Sequence, residues 1–331
     1  MSIGTVSGVI HGRASIRDDL RNRVLRAIDS LGYTPNAGAQ SIRLGSTFTV
    51  GIVVAHLNAP YLAEWVASAN EEFRAAGYAT LLGTHASKHD LEKDVIGALL
   101  RRRVDALLLS TGSEYDKDLL EVLARADMPV VLIDRELPAD ADAVMVDHRA
   151  PMRRAVEYLI KLGHHRIAVI MGGDQIYPTR ERSIGYRLAH EEAGVPIDPA
   201  LVGSAAYLPD YGFSQTRDMF KLSDPPTAII SGGLPLPGVL RALRELRLRI
   251  PDDVSLISTS RSELTELMTP ALTCESWDAA AVGRTAAQIT LERIRQQDDD
   301  PAPRRVLLRS DFLIRDSCAA PPSRQKGADR G

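Results

Sequence analysis

Residues 158–173 read YLIKLGHHRIAVIMGG, and the stretch changes period halfway along. Its first half closes a helical segment that runs over 151–162. From 166 to 171, RIAVIM is a short continuous apolar run ahead of two glycines, the form a strand takes when both its faces are buried. The same alternation fills the chain from Thr49 onward. TVGIVV (49–54), ATLLG (79–83), DALLLS (105–110), PVVLID (129–134), AVMV (143–146), PTAII (226–230) and VSLIS (254–258) read as further buried strands. Helical segments over 61–76, 87–102, 116–126, 180–193, 236–246 and 278–296 lie between most of them. This rhythm predicts an α/β chain with parallel sheets covered on both faces. Eight such runs exceed what one half-domain usually holds, so LIKLGHHR (159–166) is expected to be the passage between two doubly wound lobes. A cleft between the lobes, at the carboxyl ends of strands, is the expected ligand site.

Composition sets the outer bounds. A chain of 331 residues, 44% hydrophobic and 25% charged, has room for two ordinary domains plus an appendage and can bury a sizeable core. Only two cysteines, Cys274 and Cys318, exclude a disulfide framework. The first apolar stretch is too short for a secretory signal, and no apolar run reaches the roughly 20 residues that cross a bilayer. A cytoplasmic protein with no membrane partner is expected. The net charge of −3 hides an asymmetry: residues 1–46 hold six Arg against three Asp, which is +3, so the remainder carries −6.

Enzymatic readings find little support. There is no glycine-rich phosphate loop, no nucleophile elbow and no redox cysteine pair, so no catalytic residue and no cofactor is expected. His85 and His89, with Asp90 adjacent, could face one metal, and His164 and His165 form a doublet. Both sets lie beside turns without a third ligand at helical spacing, and no metal is expected there either.

The chain opens MSIGTVSGVIHG, whose Thr5, Val6, Val9 and Ile10 recur at helical spacing before Gly-Arg-Ala-Ser stops the pattern. A helix this short needs neighbours to bury Val6 and Val9. A second helix, carrying Leu20, Val24, Leu25, Ile28 and Leu31, follows and ends at Gly32.

TVSGVIHG, VLRAIDSLGYTPN and AQSIRLGSTFTVGIVV, followed by VVLIDREL, VMVDHR, YLIKLGHHRIAVIMGG, TRERSIGYRLAHEEAGV, PPTAII, RIPDDVSLIS and TPALT, resemble the lactose-repressor/galactose-repressor family of bacterial transcription regulators. The resemblance runs over nearly the whole chain. It implies a core like periplasmic sugar-binding proteins, of two doubly wound parallel-sheet lobes, behind a small all-α helix-turn-helix headpiece and a hinge helix. It divides the chain into a headpiece (1–35), a hinge (36–47), a core (48–318) and a disordered tail (319–331). The first lobe is expected over about 48–162 and 276–307, the second over 163–275 and 308–318. Family headpieces carry a further helix and turn before Thr-Val-Ser, so Met1 stands where the family usually has Val. A miscalled GTG start codon or a real truncation are the two readings of that difference. Without that helix, Val6 and Val9 are expected to remain uncovered and the recognition helix disordered.

The resemblance implies DNA-facing roles at Ile3, Gly4 and Gly8 for bases and at Thr5 and Ser7 for phosphates. It further implies Asn36, Ile42 and Arg43 in the hinge, with Ile42 as a minor-groove wedge. Gly8 stands where the family usually has a polar residue, and glycine cannot read a base edge. In the core it implies an effector site with Arg182 as the ligand-holding arginine and Tyr61, Leu62, Asp134 and Tyr207 lining the cavity. The chain departs from the family at SGGLPLPG, where Asn-Asp is usual, and at Ser258–Arg261, where Gly-Phe-Asp-Asp is usual. Gly232, Gly233, Ser260 and Arg261 therefore replace carboxylates. With Arg261 added to Arg182, the cleft is expected to be rich in donors and its small-molecule effector to be an anionic sugar derivative, if one binds at all. The function implied is a repressor that binds a roughly palindromic operator as a homodimer. The competing reading is a cytosolic ligand sensor that has lost DNA binding. A periplasmic solute receptor is disfavoured by SLGYTPN. The proline-rich end AAPPSRQKGADRG holds no leucine heptad, which excludes a C-terminal tetramerising bundle.

Overall fold

The computed structural model describes residues 17–31, 45–137, 141–296 and 302–322, together with Val6, Gly8 and Val9. It divides into two compact units, Met1–Thr47 and Phe48–Gly331.

In the first unit α1 (Asp18–Ser30) starts with Asp18 and Asp19 in its first turn, where carboxylates complement the helix dipole. Its fully buried residue is Val24. Val6, Gly8 and Val9 are helical, as their spacing predicts. Val9 is only 7% exposed, which corrects the expectation that it stays uncovered. In so small a unit, covering one valine takes little apolar surface.

The second unit contains two six-stranded sheets. The first is built from β1 (Thr49–Val54), β2 (Ala79–Thr84), β3 (Ala106–Leu109), β4 (Val130–Ile133), β5 (Asp142–Val146) and β11 (Arg305–Leu308), in the order β11-β5-β4-β3-β1-β2. The second comprises β6 (Ile167–Ile170), β7 (Val202–Gly203), β8 (Ala228–Ser231), β9 (Ser255–Ser258), β10 (Thr273–Ser276) and β12 (Asp311–Leu313), in the order β12-β10-β9-β8-β6-β7. Every pairing is parallel except that of β12 with β10. Central strands such as β3, β6, β8 and β9 are buried at every residue, whereas the edge strands β2 and β11 alternate with exposed positions. That contrast follows from helices covering both faces of the central strands.

In the first lobe α2 (Pro60–Ala75) and α10 (Ala279–Arg295) share one core cluster, in which Trp65, Ala69 and Phe73 pack with Val282, Ala286 and Ala287. The close approach depends on Gly283: a Cβ there would sit 2.1 Å from the Trp65 carbonyl oxygen. The other face carries α3 (His89–Arg101) and α4 (Lys117–Ala124), which bury Ile96, Leu99, Leu119 and Leu123 against β1, β3 and β4. In the second lobe α5 (Arg149–Lys161) and α6 (Tyr177–Glu192) cover one face, and α7 (Pro209–Met219) and α8 (Leu236–Glu245) the other. A one-turn helix, α9 (Glu263–Leu267), follows β9.

Met152, Ala155, Val156 and Leu159 of α5 belong to the core of the second sheet, with Ile167, Val169 and Ile230. The chain therefore crosses between lobes ahead of Arg149. This corrects the boundary placed at 162, where LIKLGHHR is instead a helix-to-strand turn inside the second lobe, with Gly163 at φ 99°. Two more passages run from β10 to α10 and from β11 to β12. The disordered tail expected from 319 is also corrected at its start. The Ala319 carbonyl accepts from His164 Nε2 at 2.8 Å and its amide donates to Ser255 Oγ at 3.1 Å, tying the chain end to the second sheet. Among the described residues no helix is long and apolar enough to cross a membrane.

Candidate effector cleft

A cavity of about 100 Å³ lies between the lobes. Strand ends from both sheets reach it, as parallel sheets dictate: Ser110 beyond β3, Asp134 and Arg135 beyond β4, and Trp277 beyond β10 all line it.

Asp134 holds a left-handed backbone, φ 53°, a conformation that costs a non-glycine residue energy and that clusters at binding sites. Its carboxylate is held from two sides. The Val146 amide donates to Oδ1 at 3.2 Å, and His148 Nε2 lies 2.8 Å from Oδ2. His148 is fully buried at the first lobe crossing, and its Nδ1 lies 2.7 Å from Glu275 Oε1, on β10. Arg182 reaches the same carboxylate from α6, with Nε donating to Oε2 at 3.1 Å, while its Nη2 donates to the Thr259 carbonyl at 3.3 Å. The indole of Trp277 stands edge-on to both Tyr61 and His148 and beneath the Arg182 guanidinium, 5.9 Å from its centre. Asp134, His148, Glu275 and Arg182 thus form one buried chain of alternating charge linking the first sheet to the second.

The protonation of His148 decides how that chain is bonded. Nδ1 cannot both donate to Glu275 and accept from Arg182 Nη2, which lies 2.8 Å away. Burial is the largest influence and favours the neutral ring, as does Arg182, but the Asp134 and Glu275 carboxylates outweigh both and raise the His148 pKa above the ordinary histidine value. In its imidazolium form the ring donates to both carboxylates. For Asp134, burial works to raise the pKa and is the largest single influence, yet His148, Arg135 and Arg182 together hold it below the usual carboxylate value.

A second bridge flanks the first. Glu114, fully buried in the first lobe, accepts from the Tyr177 amide at the start of α6 at 2.6 Å and from the Glu136 amide at 3.1 Å. Its other oxygen lies 2.6 Å from Arg180 Nη2.

Tyr61, Leu62, Asp134, Arg182 and Tyr207 all line the cavity. Gly232 and Ser260 do not, because Tyr207 covers the SGG turn: a Cβ on Gly232 would come within 2.4 Å of its ring, and its hydroxyl accepts from the Gly233 amide at 3.0 Å. Ser260 is buried behind that turn, its amide donating to Ser258 Oγ at 3.2 Å. Arg261 is the clearest correction. Its Nε donates to Glu266 at 2.5 Å, and its side chain, 55% exposed, lines a separate depression on the outer side of Tyr61 and Trp277. Reading by sequence position missed His148, Glu275, Arg135 and Trp277. His148 and Arg135 lay in quoted motifs, and a glutamate inside the otherwise buried TCES strand was the available signal for Glu275.

His85 and His89 do not converge. His85 is buried, 3.3 Å from the Ser110 carbonyl, whereas His89 lies 2.7 Å from Asp116. His164 is buried and bonded to Thr227, Ser255 and Ala319, while His165 is exposed. Of the residues expected to face DNA, Ile3, Gly4, Thr5, Ser7, Asn36, Ile42 and Arg43 lie outside the described residues. Gly8 is helical and buried.

Comparisons with known proteins fall on both units. The model of bacterial regulatory proteins of the lacI family matches residues 1–36, and that of a periplasmic binding protein-like domain matches residues 156–318. The HTH-type transcriptional repressor PurR of Haemophilus influenzae is 32% identical over 302 residues, covering 90% of this chain and 89% of the relative. PurR of Escherichia coli is 31% identical over 305 residues, covering 91% and 89%. Among solved structures, the transcriptional regulator CelR in complex with cellobiose is 29% identical with a TM-score of 0.74 over 96% of each chain. The lac repressor dimer bound to operator and an anti-inducer, at 23% identity, matches in fold with a TM-score of 0.82 over 97% of this chain and 96% of its own. With a headpiece match, a two-lobed core and relatives of this identity across nine-tenths of its length, the chain belongs to the lacI family of bacterial regulatory proteins.

Proposed function

We propose that the chain is a transcriptional repressor that binds a roughly palindromic operator as a homodimer in the cytoplasm, with a small molecule in the interlobe cleft setting its affinity for DNA. The observation that carries this reading is the buried chain Asp134–His148–Glu275–Arg182, which joins two sheets across a cavity lined by residues of both lobes. A ligand contacting both walls binds the joined arrangement better than a separated one. Only that differential affinity can shift the population of the regulator and hence its hold on DNA. The residues serve binding and positioning, and no catalytic step is assigned to them. The effector is an anion, a sugar acid or sugar phosphate in the simplest case. Arg261, turned outward onto Glu266, does not supply that preference.

Gel-shift titration of genomic fragments is the direct test. Specific binding should weaken by about 10³-fold between low and physiological salt, as arginines release counterions from phosphates. It should also respond to a cleft ligand. The buried Gly8 favours a second reading, in which the cleft senses a ligand without an operator. Ligand binding with no retarded fragment at any salt would decide for that alternative.

A further inference from the structure

Three cationic side chains face or bound the cavity, and two are already committed. Arg182 meets Glu275 at 3.1 Å, and His148 lies between Asp134 and Glu275. Arg135 is different. It is only 7% exposed, yet its guanidinium donates only to carbonyls: Nε to Thr111 and Nη1 to Asp134, the latter at 2.7 Å. Among the described residues no carboxylate pairs with it. The buried Glu92 carboxylate is engaged with the Gly112 amide, 3.2 Å from each oxygen, and lies 3.9 Å from His85 Nε2. A guanidinium presents five donors, so Nη2 and one Nη1 hydrogen have no protein acceptor among those residues. A buried guanidinium with no carboxylate directly paired to it is costly; the Asp134 carboxylate attracts it only at a distance, and the guanidinium lines the cavity.

We propose that Arg135, and not Arg182, reads the charge of the effector, pairing its outer guanidinium edge with an oxyanion of the ligand. This rests on the cleft being the effector site. Glu275 completes the selectivity by neutralising Arg182 from within the protein, so that the cleft has one place for an anion and not two. The planar fork suits a carboxylate or a phosphate, and the aromatic walls of Tyr61, Trp65, Tyr207 and Trp277 would hold the carbon frame.

Calorimetry and thermal shift at matched ionic strength would compare glucuronate, ribose 5-phosphate and inorganic phosphate with glucose and ribose. At least one anionic probe should bind tenfold or more tighter than its neutral counterpart, and glucuronate against ribose 5-phosphate separates carboxylate from phosphate recognition. Arg135→Gln should bring anionic and neutral probes to parity, Arg135→Lys should keep part of the preference, and Glu275→Gln should strengthen anion binding by releasing Arg182. Circular dichroism checks that each variant is folded, and Arg135→Lys serves if Arg135→Gln is not. Neutral sugars binding as tightly as anions, silence of all anionic probes, or an anion preference undiminished in Arg135→Gln would each overturn the assignment. The effector reading itself would survive the first outcome and fail only if no small molecule shifts the protein.

Discussion

At the residue scale the cleft is governed by how a few buried charges are shared. Glu275 accepts from Arg182 and His148 at once, so removing it leaves two buried donors without their carboxylate. Glu275→Ala should cost about 3–5 kcal/mol in denaturant unfolding, whereas breaking the solvent-exposed ion pair of Arg74 with Glu71 should leave the unfolding midpoint nearly unchanged. His148 and His164 should respond to pH in opposite senses. The folded pKa of His148 is raised, so its contribution is fully present below the unfolded value near 6.5 and is lost as pH rises through the folded value. His164 is lowered, chiefly by burial, so its contribution is present above the unfolded value and is lost as pH falls through the folded one. Melting temperatures of His148→Gln and wild type should therefore converge as pH rises from 6 to 9. A difference that widens over that range would refute the assigned sign. Residue by residue, the sequence located Asp134, Arg182 and Tyr207, because family motifs mark them. It misplaced Arg261, because position along a motif does not reveal that Glu266, five residues on, captures the guanidinium.

At the element scale, buried strands with continuous apolar runs were legible, and so were most of the helices between them. What escaped was short or polar: the two-residue β7, the TCES strand β10, and β11 and β12 near the chain end. A strand buried at the middle of a sheet can carry Thr, Cys and Glu when its partners satisfy them, and hydrophobic periodicity does not register that. The first lobe crossing was misread for a related reason. The glycine that ends a helix looks the same whether the next strand joins the old sheet or a new one, and only the packing of α5 on the second sheet distinguishes them. Glycines that let elements touch were equally silent. A Cβ on Gly238 of α8 would stand 1.7 Å from the Pro209 carbonyl at the start of α7, and one on Gly283 would press the Trp65 carbonyl. Backbone cannot step aside as a flexible side chain can, so Gly283→Ala should destabilise the core by about 1–3 kcal/mol. Gly97→Ala, which meets only the far end of Arg101, should be neutral or stabilising. Equal melting temperatures for the two variants would contradict the close approach.

At the scale of the whole molecule, two bridges hold the lobes together, and they differ in what they ask of a ligand. The Asp134–His148–Glu275 chain lies in the cavity wall, where an effector can reinforce it, whereas Glu114 binds the start of α6 and Arg180 beside the cavity. Glu114→Gln should loosen the lobes without touching the lining, weakening effector binding and effector-induced stabilisation together. The chain end makes a different kind of whole-molecule contact. Ala319 closes onto Ser255 and His164, whose neutral ring accepts from Thr227 Oγ1 at 2.8 Å through Nδ1 and donates to the Ala319 carbonyl through Nε2. A chain cut after Cys318 would remove the Ala319 carbonyl that His164 Nε2 and Ser255 Oγ both bond, leaving only Ser255 Oγ within reach of the buried imidazole N–H, a loss of about 1 kcal/mol. A chain cut after Pro322 keeps the contact. The dimer expected of the core owes nothing to the segment that follows, which has no heptad to pair with another copy. Light scattering should therefore report a dimer for both truncations, while calorimetry reports a lower melting temperature for the shorter one alone. Loss of the dimer on cutting after Pro322 would show that the final residues take part in assembly, and equal melting temperatures would show that the Ala319 contact contributes nothing to the second lobe.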